Sequence, residues 1–167
     1  MQAYHDTREE KFKKPFGAVL IDTNISLSID LWEEDASSCA LRIWTEDEGE
    51  RIIDMERNVR EGGLTFCTSF TPTEPALYWY CFIITKADGG ICYYGAKNGR
   101  TNGIGQMYDY LPPSFQITVS KERKLPKWYE NAICYQIFPD RFYRSEKYIE
   151  NQKEAIKLHT NLSLIHI

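Results

Sequence analysis

Polar and apolar residues alternate in short runs along most of this chain. Across residues 25–32, Ile25, Leu27, Ile29 and Leu31 share one face, and Ser26, Ser28, Asp30 and Trp32 the other. Period-two alternation marks a strand with one face in a core and the other toward solvent. A solvent-facing Ser28 would tolerate a carboxylate in its place. Residues 39–45 alternate in the same way, with Leu41 and Ile43 opposite Arg42 and Trp44, and residues 51–55 form a short return strand. Phe66, Thr68 and Phe70 line one side of residues 65–71. Residues 16–21, 91–94 and 115–119 are shorter runs of strand type. Residues 77–85 are apolar on both faces, so one face belongs to a core and the other to a further contact surface. Asp88-Gly89-Gly90 supplies a hairpin turn, and Pro72 and Pro75 interrupt the chain before residue 77.

Short strands at this spacing, with turn signals between them and no convincing helical period, predict an all-β chain. The expected fold is an Ig-like antiparallel β-sandwich over residues 1–121. Residues 122–130 are charged, contain Pro126 and read as a linker. Residues 132–138 then form an almost unbroken apolar run, interrupted only by Gln136 and closed by Pro139. Such a run is expected to be a strand buried on both faces, as in a parallel sheet. No second run of that kind follows it. Residues 144–159 have helical spacing at Ile149, Ile156 and His159 but are highly polar, which predicts a weak helix.

The string Tyr135-Gln136-Ile137-Phe138-Pro139-Asp140-Arg141-Phe142, preceded by Trp128-Tyr129 and Ile133-Cys134, resembles the opening strand of the catalytic barrel in the alpha-amylase family of glycoside hydrolases, family 13. Its likeness is greatest to the neopullulanase, pullulanase and alpha-glucosidase members. Residues 14–19, Lys-Pro-Phe-Gly-Ala-Val, and residues 77–80, Leu-Tyr-Trp-Tyr, also resemble the N-terminal domain of such enzymes. The resemblance implies that residues 131–161 begin a (β/α)8 barrel that is truncated here. Residues 162–167 match one translated frame of a transposon end used in sequencing libraries, and are expected to be adapter read-through on a gene cut by assembly. By resemblance, the parent protein hydrolyses alpha-1,4 or alpha-1,6 linkages of an alpha-glucan such as maltodextrin with retention of configuration. The fragment itself should be inactive. The alternative expectation is a free-standing glycan-binding or protein-interaction module, which would have no use for the run at 132–138.

Composition narrows the function classes. A net charge of −4, with lysines and arginines scattered, argues against nucleic acid. No apolar stretch approaches the ~20 residues of a membrane helix, and the N-terminus lacks the pattern of a secretory signal. Cys39, Cys67, Cys81, Cys92 and Cys134 are odd in number and widely spaced, so buried thiols in a reducing cytoplasm are expected rather than a disulfide framework or zinc site.

Retaining glycosidases use two carboxylates about 5–5.5 Å apart. In the resembled family these sit on barrel strands four and five, which have no counterpart here, so no catalytic residue is assigned. No cofactor is expected, although the resemblance leaves room for calcium in a full-length parent. The acidic groups at 33–35 and 46–48 read as solvated turns. Asp140 and Arg141 follow the barrel-type strand, at the end where such barrels place their active sites, and are barrel-face candidates or a structural corner. His5, His159 and His166 are isolated in sequence. Trp44, Tyr78 and Tyr80 are the candidate glucan contacts, because flat aromatic faces suit the apolar faces of pyranose rings. A homodimer through the N-terminal domain is a further expectation by resemblance.

Overall fold

The computed structural model describes residues 2–32, 36–122, 124 and 126–138. The chain divides into two compact units, residues 1–123 and 124–167.

The first unit is a sandwich of two sheets. The five-stranded sheet has β1 (Gln2–Tyr4), β2 (Lys13–Lys14), β4 (Ile25–Trp32), β7 (Glu56–Arg60) and β8 (Gly63–Phe70). Its backbone is β4, which pairs over its whole length with β8, while β1 and β2 add along its other edge. The seven-stranded sheet has β3 (Val19–Leu20), β5 (Ala36–Thr45), β6 (Gly49–Asp54), β9 (Leu77–Lys86), β10 (Ile91–Gly95), β11 (Gln106–Tyr108) and β12 (Phe115–Ser120). Its centre is β9. One edge of β9 carries β5, and the other carries β10 and β12 end to end. All of these pairings are antiparallel except β12 with β3. The chain crosses between sheets at Met55, where the strand that left β5 as β6 continues as β7, and the Met55 N–H donates to the Cys39 carbonyl at 3.0 Å.

The core follows from period-two alternation. Ile25, Leu27, Ile29 and Leu31 lie opposite Phe70, Thr68, Phe66 and Leu64, and the four β4 side chains are fully buried. Each contributes roughly 1.5–3 kcal/mol of burial. From the other sheet come Cys39, Leu41 and Ile43, in register with Ile84, Phe82 and Tyr80, together with Tyr94, Phe115 and Ile117.

Three expectations need correction. Ser28 and Asp30 do not face solvent: both are buried. The N-terminal segment lies against them, and its charge pattern had no strand period to reveal this. Ser28 Oγ donates to the Lys11 carbonyl at 2.7 Å, and Asp30 accepts from Lys11 Nζ and from Thr65 Oγ1 at 2.6 Å. Arg60 Nε lies 3.6 Å from the same carboxylate. A carboxylate at position 28 would therefore sit next to Asp30 in a closed site. Second, His5 is isolated only in sequence. Its ring lies among Phe12, Tyr80, Phe82 and Phe115, with no exposure. Nδ1 is 2.7 Å from the Ser28 carbonyl, which can only accept, so Nδ1 carries the proton and Nε2 accepts from the Tyr80 hydroxyl at 2.9 Å. Burial holds this imidazole down at about pKa 4. Third, not every thiol is buried: Cys39, Cys81 and Cys92 are, but Cys67 is half-buried and Cys134 exposed.

In the second unit, α1 (Lys127–Glu130) is a single turn after Pro126. Residues 132–138 carry no strand, and Ile133 and Tyr135 are exposed. The expected doubly buried strand is therefore not formed: its type of burial requires parallel neighbours, and no strand among the described residues pairs with it. Asp140, Arg141, the helix expected at 144–159 and residues 162–167 lie outside the described residues.

Candidate functional site

The outward face of the seven-stranded sheet carries several exposed apolar side chains. Its make-up follows from strand parity. In β5 the side chains of Leu41 and Ile43 enter the core, so Ala40, Arg42 and Trp44 point outward. In β9 Tyr78, Tyr80, Phe82 and Ile84 enter the core, so Leu77, Trp79, Cys81 and Ile83 point outward. The register sets Trp44 opposite Trp79, Arg42 opposite Cys81 and Ala40 opposite Ile83. On the flanks, β6 places Glu50 beside Trp44 and Ile52 beside Arg42, and β10 places Tyr93 beside Ile83. Trp44 keeps 38% of its surface exposed, Ile52 54%, Leu77 45% and Ile91 57%.

A depression of about 330 Å³ opens on this face between Arg42, Trp44, Trp79 and Ser114. Its floor is ordered by charge. Arg42 Nε donates to Glu50 Oε2 at 2.5 Å, which fixes the guanidinium across the strands. Arg42 also lies over Cys81, whose thiol is fully buried and pushed up to about 11 by burial, with the nearby guanidinium pulling the other way. This thiol is inert at neutral pH. The site therefore offers two indole rings, a fixed guanidinium and a carboxylate. It can stack on an apolar face and hydrogen-bond hydroxyl groups at its rim; it holds no nucleophile or acid–base pair. Among the described residues no group of three or more His, Cys, Asp and Glu is placed to hold a metal.

Of the residues expected to contact glucan, only Trp44 lies here. Tyr80 is completely buried and occupied by His5, and Tyr78 is buried with its hydroxyl donating to the Glu74 carbonyl at 3.1 Å. Tyr78 instead walls a separate cavity of about 250 Å³ at one end of the core, with Ile43, Arg51 and Phe70. The physical reason is parity: the two tyrosines are one residue out of step with Trp44's partner. Trp79 is the residue that shares Trp44's face, and the pairing of residue 44 with residue 79 was the missing signal. Asp140 and Arg141 are not among the described residues.

No family model matches the chain. It aligns over 94% of its length with the amylopullulanase of Thermoanaerobacterium thermosulfurigenes, at 31% identity. Over 85% of its length it aligns with the amylopullulanase of Thermoanaerobacterium saccharolyticum, at 30% identity. The chain is homologous to a segment of the amylopullulanases, within the alpha-amylase family. It spans only 9% and 11% of those two relatives. Among solved structures, a cyclomaltodextrinase superposes with a TM-score of 0.53 at 13% identity, over 70% of this chain and 19% of that one, which shows a shared fold. The β-sandwich expected from the alternating pattern is thus both the observed architecture and one found in a protein of that name.

Proposed function

We propose that this chain is the β-sandwich region of an alpha-glucan-hydrolysing glycosidase, acting on alpha-1,4 or alpha-1,6 linkages with retention, and that the chemistry resides outside the described residues. The observation that carries the proposal is the alignment with amylopullulanases along nearly the whole chain. The sandwich contributes contact rather than catalysis. Its outward face, with Trp44 and Trp79, takes the alpha-glucan chain: indoles stack on pyranose rings, and Arg42 and Glu50 hydrogen-bond sugar hydroxyls. The purified chain should release no reducing ends from pullulan or starch. Sequencing the gene past codon 161 tests the enzyme part. An open frame with an Asp on a fourth barrel strand and a Glu on a fifth is expected, and a natural stop codon would overturn it in favour of a free-standing module.

The same face is the one a homodimer through this domain would use. Sedimentation of the chain with and without maltodextrin separates the two occupants. A monomer that binds maltodextrin supports the glucan reading, and a dimer that Trp44→Ala dissociates replaces it.

A further inference from the structure

A second cavity, of about 290 Å³, lies at the edge of the sandwich where the two sheets part. Its lining combines Arg8, Lys13, Phe16, Thr101, Gln116 and Thr118 with the backbone of the 16–18 turn. Two cations and no carboxylate line it, in a chain whose net charge is −4.

Lys13 is placed there by register. In β2 it pairs with Leu27, so its side chain takes the core-facing side of the five-stranded sheet. The residue is only 2% exposed. Its ammonium donates to the Pro15 and Gly17 carbonyls, at 3.1 and 3.0 Å. An ammonium has three donors, so one remains without a partner, and both acceptors it has are neutral. No carboxylate among the described residues bridges it. A buried cation that lacks a counter-charge is costly unless something supplies one.

The walls are pinned rather than loose. The Gly103 N–H donates to Thr7 Oγ1 at 2.8 Å, and the Gln116 N–H donates to the Thr101 carbonyl at 2.9 Å. These bonds tie the 97–104 loop to both the N-terminal segment and β12. The Arg8 guanidinium lies over Gly103, where any Cβ would strike it, and Asp6 holds it at 3.6 Å from Nε. Arg8 thus has a defined place at the rim with most of its side chain in solvent.

We propose that this cavity binds a small oxyanion, a phosphate or carboxylate group borne by a hydroxylated molecule. Lys13 supplies its free donor to the anion from below and Arg8 closes on it from the rim. Thr101, Gln116 and Thr118 offer hydroxyl and amide groups to the polyol body, and the exposed ring of Phe16 offers an apolar face. The site adjoins the Trp44–Trp79 face, since Gln116 pairs with Trp79 and Thr118 with Leu77, but it does not depend on the glucan reading.

The test is a titration of the isotope-labelled chain, followed by amide NMR at low ionic strength. The probes are inorganic phosphate, glucose 1-phosphate and neutral glucose, with sodium chloride matched in ionic strength. Saturable shifts confined to residues 7–18, 101–103 and 116–118 are expected with both phosphates, and none with glucose or chloride. Tighter binding of glucose 1-phosphate identifies a phosphorylated sugar as the ligand class; equal binding identifies the bare oxyanion. Arg8→Gln, at a largely exposed side chain, should keep the fold and weaken binding roughly tenfold, the effect of losing one charge-assisted hydrogen bond. Lys13→Met should abolish binding if it folds; if it does not, the Arg8 variant decides. Shifts that fail to saturate, that chloride reproduces, or that survive Arg8→Gln unchanged would overturn the site and leave Lys13 as a brace for the 14–18 turn.

Discussion

The outward faces of the two sheets differ in kind. On the five-stranded sheet, the polar face of β4 is covered by its own chain: Lys11, Thr65 and Arg60 converge on Asp30, and Ser28 is tied to the Lys11 carbonyl. On the seven-stranded sheet, Trp44, Ile52, Leu77 and Ile91 stay open to solvent, and the ion pair of Arg42 with Glu50 lies across an apolar floor. A polar face covered by its own chain is closed to a partner; an apolar face left open has affinity for something else. The sequence pattern alone does not separate the two faces, because Ser28 and Asp30 look as solvent-facing as Arg42 and Trp44. What decides is whether another segment of the chain brings partners to the face.

This contrast can be broken by substitution. The largest effect belongs to the core beneath both faces: Leu27→Asp should abolish the cooperative unfolding transition, since a carboxylate there has no partner. A folded Leu27→Asp variant would refute the register of β4. Next is Asp30→Ala, expected to cost roughly 2–3 kcal/mol in chemical denaturation, the lower end for a buried network because Lys11 reaches solvent and is screened. Ser28→Asp should also destabilise measurably, by crowding a second carboxylate against Asp30. A wild-type midpoint for both variants would mean that this face is open after all.

Proton linkage gives an effect of similar size. The folded chain holds His5 neutral until about pH 4, while the unfolded chain takes up a proton near its ordinary value of 6.5. Because the folded value is lowered, this contribution is fully present above pH 6.5 and is lost as pH falls toward 4, by up to about 3 kcal/mol. Denaturation curves at several pH values should show this slope. His5→Gln, which cannot ionise, should lose it even if the variant is less stable at pH 7.

The smallest effect on stability is expected at the open face. Trp44→Ala and Trp79→Ala should each change the unfolding free energy by less than about 1–2 kcal/mol, since their rings are not in the core. Their effect should fall on maltodextrin affinity instead, weakened roughly tenfold for each ring lost.

The sequence made β4, β5, β8 and β12 legible, because clean alternation with a polar partner face admits one register. It did not resolve β9, whose two apolar faces give no parity signal, so Tyr78 and Tyr80 stood where Trp79 belongs. It missed β7, because residues 56–60 are polar at nearly every position and are held by pairing with β8 alone. It missed the N-terminal strands for the same reason: β1 and β2 are two or three residues long, and only their pairing with β4 makes them strands. Lys13 and His5 were invisible as sites, since each depends on partners far along the chain. The run at 132–138 shows the converse: strong strand composition does not form a strand without neighbours.

The central claim is that the open face of the seven-stranded sheet takes an alpha-glucan. The most direct measurement is an amide NMR titration of the chain with a linear maltodextrin, repeated on a Trp44→Ala/Trp79→Ala double variant. The account predicts saturable shifts concentrated in residues 40–44, 50–52 and 79–83, and their loss in the double variant while the core amides of β4 and β8 keep their positions. Shifts absent from the wild-type chain, or persisting unchanged without the two indoles, would contradict it.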